Sequence, residues 1–176
     1  MIAYNSNGKQ ISDSIINDIS KKISKQETDK LLRTIASTLT AMMHNRVHVE
    51  GKDSNEAQIG TYSPEYMKVR TGNFKSKKIV RGVNKGKARE KYGRTGDTKV
   101  ILSLTRHMEN DLVVCEENPI KTSYGYAIGY QNENNYDKLI SLETRYKKKI
   151  LTKLSKTEES VKDEIVNNFL NVRTTN

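Results

Sequence analysis

The sequence is poor in the residues that usually declare a function. It has no Trp, two Phe, two Pro and a single cysteine among 176 residues. One cysteine cannot close an intramolecular disulfide or build a thiolate metal cluster. Cys115 follows Leu112-Val113-Val114, so its plain reading is a small buried hydrophobe rather than a nucleophile. No run approaches the roughly 18–20 apolar residues of a membrane span. The start, MIAYNSNGKQ, lacks the apolar stretch of a signal peptide, so the expectation is a soluble protein made in a cytoplasm, with no membrane partner. Hydrophobic residues reach only 34% against 30% charged. Even with glycine added, that is below the roughly 45–50% apolar share of ordinary domains. The core is expected to be modest, and contacts between subunits to supply burial that one chain lacks.

Catalytic motifs are missing too. The glycines form neither a phosphate loop nor a dinucleotide fingerprint, and no serine sits in G-x-S-x-G. Carboxylate pairs such as Glu116-Glu117 and Glu158-Glu159 read as solvated neighbours. His44 and His48 are one helical turn apart, but His44-Asn45-Arg46-Val47-His48 lacks the glutamate of a zinc-protease helix, and Arg46 is an unfavourable neighbour for a metal. Their plain reading is two half-exposed helix histidines, and His107 reads as a surface or interface residue rather than a general base. The tyrosines of Tyr124-Gly125-Tyr126-Ala127-Ile128-Gly129-Tyr130 fall in the wrong register for an RNA-recognition strand. The expectation is no enzyme, no cofactor and no metal.

What the chain does have is a concentrated positive charge. Residues 68–99 hold twelve Lys or Arg against Glu90 and Asp97. That surplus of ten equals the net charge of the whole chain, so the remainder is neutral. The segment has five glycines and no apolar period, and is expected to be a long solvated loop or arm. Lys75, Lys77, Lys78, Arg81, Lys85, Lys87, Arg89, Lys91 and Arg94 are its candidate contact residues. They suit phosphate neutralisation on nucleic acid or an acidic partner surface; the plain alternative is a charged, mobile loop.

Around this arm the hydrophobic pattern predicts an α+β fold. Ile11, Ile15, Ile16, Ile19 and Ile23 have helical spacing, and residues 1–24 form an N-terminal arm or short helix. Ser24-Lys25-Gln26-Glu27 fits a capping box, with Thr28 or Asp29 as an alternative cap, and Leu31, Leu32, Ile35, Ala36, Leu39, Met42, Met43 and Val47 make one stripe ending near Gly51. Lys52–Pro64 is turn chemistry. Residues 100–111 read as a helix with a strand as the alternative at the front, and Leu112–Glu116 as a strand. A turn at Glu117-Asn118-Pro119 leads to a second strand over Ser123–Tyr130. That strand alternates tyrosines and isoleucine with Gly125, Ala127 and Gly129, and a helix is expected against the bare face. Gln131–Asn135 reads as a loop, Tyr136–Leu142 as a short helical or extended piece, and Tyr146–Lys149 as a cationic link. Ser155-Lys156-Thr157-Glu158 is a second capping box before a terminal helix with Val161, Ile165, Val166 and Phe169 on its apolar stripe. Residues 25–176 are thus expected to form one domain: long N-terminal helices and a C-terminal helix packed on a small antiparallel sheet, with the basic arm 68–99 inserted.

Read in order, these residues resemble the phage virion morphogenesis family, which includes tail completion proteins. The likeness runs from about Leu31 to Leu170. It begins with the helix Leu31–Val47, followed by Gly51-Lys52-Asp53-Ser54 and Ile59-Gly60-Thr61-Tyr62-Ser63-Pro64. Leu102-Ser103-Leu104-Thr105-Arg106-His107-Met108 is similar to the family's helix entry, with Arg106 where a glycine is usual. Ile128-Gly129-Tyr130 and Tyr136-Asp137-Lys138-Leu139-Ile140 resemble its strand and following segment, with Ile140 near the place of a customary histidine. Lys149–Ser155 resembles the approach to its terminal helix, without the usual proline and phenylalanine. The resemblance implies a structural virion component without catalytic residues. It implies a homo-oligomeric ring at the neck or tail of a tailed phage, in head-tail joining or tail completion. The implied partners are portal, adaptor or tail tube proteins. The basic arm and the leading helix exceed the family pattern and are expected to be docking extensions, one wrapping a neighbouring ring protein and the other contacting portal, adaptor or packaged DNA. The chain would reside in the virion and, during assembly, in the host cytoplasm. Two other readings of the residues stand beside it: a small nucleic-acid-binding protein using residues 68–99 as a clamp, and a metal-dependent hydrolase centred on His44 and His48.

Overall fold

The capping box at Ser24 starts the longest element. In the computed structural model, which describes residues 24–89, 92, 96–102, 106–116 and 125–174, Ser24 Oγ accepts the Glu27 N–H at 3.4 Å while Glu27 Oε2 accepts the Ser24 N–H at 3.2 Å. Helix α1 follows over Lys25–His44, and a π-helical turn, Asn45–Glu50, continues it. That turn buries three consecutive residues, Arg46, Val47 and His48, and aims the two polar ones into different parts of the interior. Gly51 closes it with φ of 70°. A Cβ there would stand 2.3 Å from the Val100 carbonyl oxygen, so both the conformation and the close approach require glycine. The isoleucine helix expected over Ile11–Ile23 lies outside the described residues, as do the Glu117–Pro119 turn, residues 123–124 of the second strand, the Cys115 side chain and the last two residues of the tail.

Helix α2 spans Pro64–Thr71, with Ser63 as N-cap and Pro64 in the first turn. Sequence reading starts the solvated arm at Lys68, but Lys68–Thr71 are helical and Arg70 is fully buried. Residues 100–102 correct the helical expectation for 100–111. Val100 donates to the Gly60 carbonyl at 2.8 Å, and among the described residues of that range only helix α3, His107–Asp111, is helical. Val100 and Leu102 are core residues, and their alternation suits extended chain better than a helix.

Strands β1, Leu112–Glu116, and β2, Tyr126–Tyr130, pair antiparallel, with Leu112 opposite Tyr130 and Val113 opposite Gly129. Contrary to expectation, the helix lies on the aromatic face of β2. The Tyr126 hydroxyl donates to Asp29 Oδ1 at 2.7 Å, Arg33 sits over the Tyr126 ring, and Tyr130 reaches His48; all three partners are on α1 or its π turn. Large rings bury more area than glycine and alanine, and their hydroxyls find partners there. On the bare face, nothing among the described residues lies within 4 Å of a Cβ built at Gly129.

Helix α4 spans Glu133–Tyr146, longer than the short piece read from the sequence and starting inside the expected loop. Asn132 caps it, and Asp111 Oδ2 accepts from the Asn132 N–H and Asn135 Nδ2, tying the end of α3 to the start of α4. Helix α5, Lys156–Thr174, opens on the second capping box: Glu158 Oε2 accepts the Ser155 N–H at 2.7 Å and Ser155 Oγ accepts the Glu158 N–H at 3.2 Å. Its stripe of Val161, Ile165, Val166 and Phe169 is only half-buried. The core comprises Met43, Val47, Ile59, Val100, Leu102, Leu112, Tyr130, Leu139, Ile150 and Leu151. This is an α+β fold: helices packed on a small antiparallel sheet.

Candidate interaction surface

The basic segment leaves and re-enters the body at one point. Tyr62 donates its N–H to the Thr98 carbonyl and Val100 donates to Gly60, so Thr61 and Lys99 pair antiparallel at the root of the excursion. Buried Arg70 anchors the outgoing side. Its guanidinium lies 4.4 Å from the centre of the Tyr62 ring and donates to the Tyr62 hydroxyl at 3.2 Å. That hydroxyl also donates to the Ile101 carbonyl and accepts the Ile101 N–H at 3.0 Å. Burial pushes the Tyr62 phenol up to about 12, against the opposing pull of Arg70, so it stays a neutral structural pin.

Beyond Gly72 the chain turns into an irregular hairpin. Ile79 donates to the Lys87 carbonyl, Gly86 to that of Ile79 and Arg89 to that of Lys77, while Lys78 and Ala88 form the bridge. Gly82 and Gly86 take positive φ in the turn. At the base, the Arg89 guanidinium stacks 4.5 Å from the centre of the Phe74 ring. Of the nine predicted contact residues, seven are thereby brought onto one narrow projection: Lys75, Lys77, Lys78, Arg81, Lys85, Lys87 and Arg89. All except Arg89, which is half-buried on Phe74, are exposed. Lys91 and Arg94 lie outside the described residues. No acid occurs between Phe74 and Arg89, and among the described residues none of the seven forms an ion pair. Val80 is 57% exposed and Val83 wholly so, at the tip.

A groove of about 500 Å³ lies beside the root, lined by Tyr62, Tyr66, Leu142, Arg145 and Tyr146 among others. A Cβ at Gly60 would sit 2.6 Å from the Tyr146 ring, so the glycine lets that ring close one wall.

The histidine pair is placed differently from the sequence reading. His44 is partly exposed, with Nε2 3.9 Å from Glu109 Oε1, but His48 is buried rather than half-exposed. Leu102 offers His48 Nδ1 a carbonyl at 2.9 Å, which can only accept, so Nδ1 carries the proton and Nε2 accepts from the Tyr130 hydroxyl at 3.3 Å. Burial lowers the His48 pKa to about 4, with the Leu102 hydrogen bond opposing and His44 adding to the fall. Both imidazole nitrogens are thus engaged within the fold. Among the described residues, no group of three or more His, Cys, Asp or Glu is arranged to hold a metal ion.

Glu158 is a further correction. Its sequence context suggests a solvated carboxylate, but it is buried and accepts from Arg46 Nε at 2.7 Å and Nη2 at 3.2 Å. Arg46 points away from the histidines and also donates to the Ile150 carbonyl at 2.9 Å. Glu143 was not singled out at all. Its Oε1 accepts the N–H groups of Ile150, Leu151 and Thr152 at 2.7, 3.1 and 3.2 Å. The capping-box spacing marked Glu158 in the sequence; nothing comparable marked Glu143, because its donors are backbone groups. Among the described residues no helix is long and apolar enough to cross a membrane. Comparison with family models, with curated proteins and with solved structures gives no match.

Proposed function

We propose that this chain is a structural component of a tailed-phage virion, working as one copy in a homo-oligomeric ring at the neck or tail. The observation that carries the reading is the sheet. Among the described residues it has two strands, one face covered by α1 and the other open at Gly129. A two-stranded sheet is marginal by itself, and unpaired strand edges are natural templates for another chain. Half-buried Val161, Ile165 and Val166 of α5 and exposed Val49 add apolar surface that neighbouring copies would cover. The conformation of Arg106 supports the family resemblance. It takes φ of 63° at the position where the resembled pattern has glycine, the residue that adopts such a φ freely.

A ring built this way is held by apolar contacts and survives high salt, unlike a purely electrostatic complex. The test is sedimentation of the purified chain at rising concentration in high salt, with imaging of intact particles. The expected result is one closed assembly of fixed stoichiometry, located at the neck or tail. A monomer at every concentration, absent from particles, sinks the reading.

A further inference from the structure

We infer that the hairpin Phe74–Arg89 is a docking element for the phosphate backbone of duplex DNA, bound without sequence preference. Charge comes first. Seven cations project from a stretch without a single acid, and the rest of the chain carries the remaining +3 of the net charge, so no acidic surplus opposes the hairpin's field. A cationic surface also fits acidic proteins, and the composition decides between the two. Five of the seven cations are lysines, and lysine is depleted from protein–protein interfaces, where arginine is favoured. Compact, strongly hydrated ammonium groups instead suit diffuse phosphate neutralisation, which needs no planar fork.

Shape agrees. The hairpin is an irregular ribbon with a single antiparallel bridge, Lys78–Ala88, closed by the Ile79, Gly86 and Arg89 hydrogen bonds. A ribbon of this kind enters the major groove, about 12 Å wide. Arg81 and Lys85 stand two residues either side of exposed Val83, so the tip carries a cation on each flank to meet the phosphates on the two sides of a groove. The ribbon is also held ready: Arg70 on Tyr62, Arg89 on Phe74 and the Thr61–Lys99 pairing fix its root, so ordering it costs little on binding.

The test is fluorescence anisotropy of a short labelled duplex with the full chain, titrated from about 50 to about 200 mM salt. Each neutralised phosphate contributes roughly −0.9 to the slope of log K against log salt, so engagement of most of the hairpin gives a slope of about −4 to −6. The variant Lys77→Gln/Lys78→Gln/Lys85→Gln/Lys87→Gln is expected to have a slope shallower by about 3 to 4. In the unaltered chain, lysine acetylation footprinting should show Lys77, Lys78, Lys85 and Lys87 protected by duplex, while Lys147 and Lys149 react as before. An unchanged slope in the variant, absent protection, or polyglutamate competing as well as DNA at equal charge overturns the inference. Failure here with an intact ring leaves the assembly reading standing; DNA binding by a permanent monomer does the reverse.

Discussion

At the scale of single residues, the pair Arg46–Glu158 ties together segments far apart in the chain. One guanidinium bonds the first turn of α5 through Glu158 and the loop before it through Ile150, from a position in the π turn after α1. Both side chains are almost wholly buried, so each charge depends on the other. Arg46→Met is expected to lose about 3–5 kcal/mol, because it strands a carboxylate in the interior. The double change Arg46→Met/Glu158→Leu removes the stranded charge, at the cost of about 1 kcal/mol for the lost cap. It should therefore be more stable than Arg46→Met alone, and urea unfolding of both variants checks the order. A double variant weaker than the single would mean that the network is worth more than the desolvation it requires.

At the scale of elements, the turn from Arg106 into α3 is where chain geometry and residue choice conflict. A non-glycine residue in the left-handed region costs about 1–2 kcal/mol. Arg106→Gly relieves this but adds freedom to the unfolded chain, so the expected net gain is about 0.5–1 kcal/mol, read as a higher denaturation midpoint. A loss would show that the Arg106 side chain holds the turn. The same scale shows what the sequence reveals and what it hides. Both capping boxes, the α1 stripe, Gly51 as its end and the pairing of β1 with β2 are legible because each is set by residues close together in the chain. The extended stretch at Val100 is legible only as the alternative to a helix, since its partner, Gly60, lies across the whole basic insertion. The face of β2 chosen by α1 also escapes local reading. Alternation shows that two unlike faces exist; Asp29 and His48, far away in sequence, decide which is covered. The candidate surface was legible as charge, whereas its hairpin form depends on glycine geometry at Gly82 and Gly86 and on the Phe74–Arg89 stack.

At the scale of the whole molecule, stability should follow pH through two buried groups that join separate parts of the core. His48 links the π turn, residue 102 and β2, and is held neutral with its pKa lowered to about 4. An unfolded-state histidine titrates near about 6.5, so as pH falls the unfolded chain gains a proton that the native one refuses. Stability therefore drops from about pH 6.5 to about 4 and levels off below that for this group; between about pH 7 and about pH 5 the loss is about 2 kcal/mol. Glu143 acts lower down. Burial disfavours its charge, yet the Ile150, Thr152 and Leu151 donors outweigh this and hold its pKa below the ordinary carboxylate value. Its contribution is complete above that ordinary value and is lost as pH falls through the native one. Acid should thus loosen the molecule in two stages, histidine first. Urea midpoints at about pH 7 and about pH 5, at one protein concentration so that assembly does not intrude, isolate the first stage. His48→Gln keeps a donor and an acceptor in place but cannot take the proton, so most of the loss should vanish in that variant. An equal loss in both proteins would place the acid sensitivity in groups other than His48.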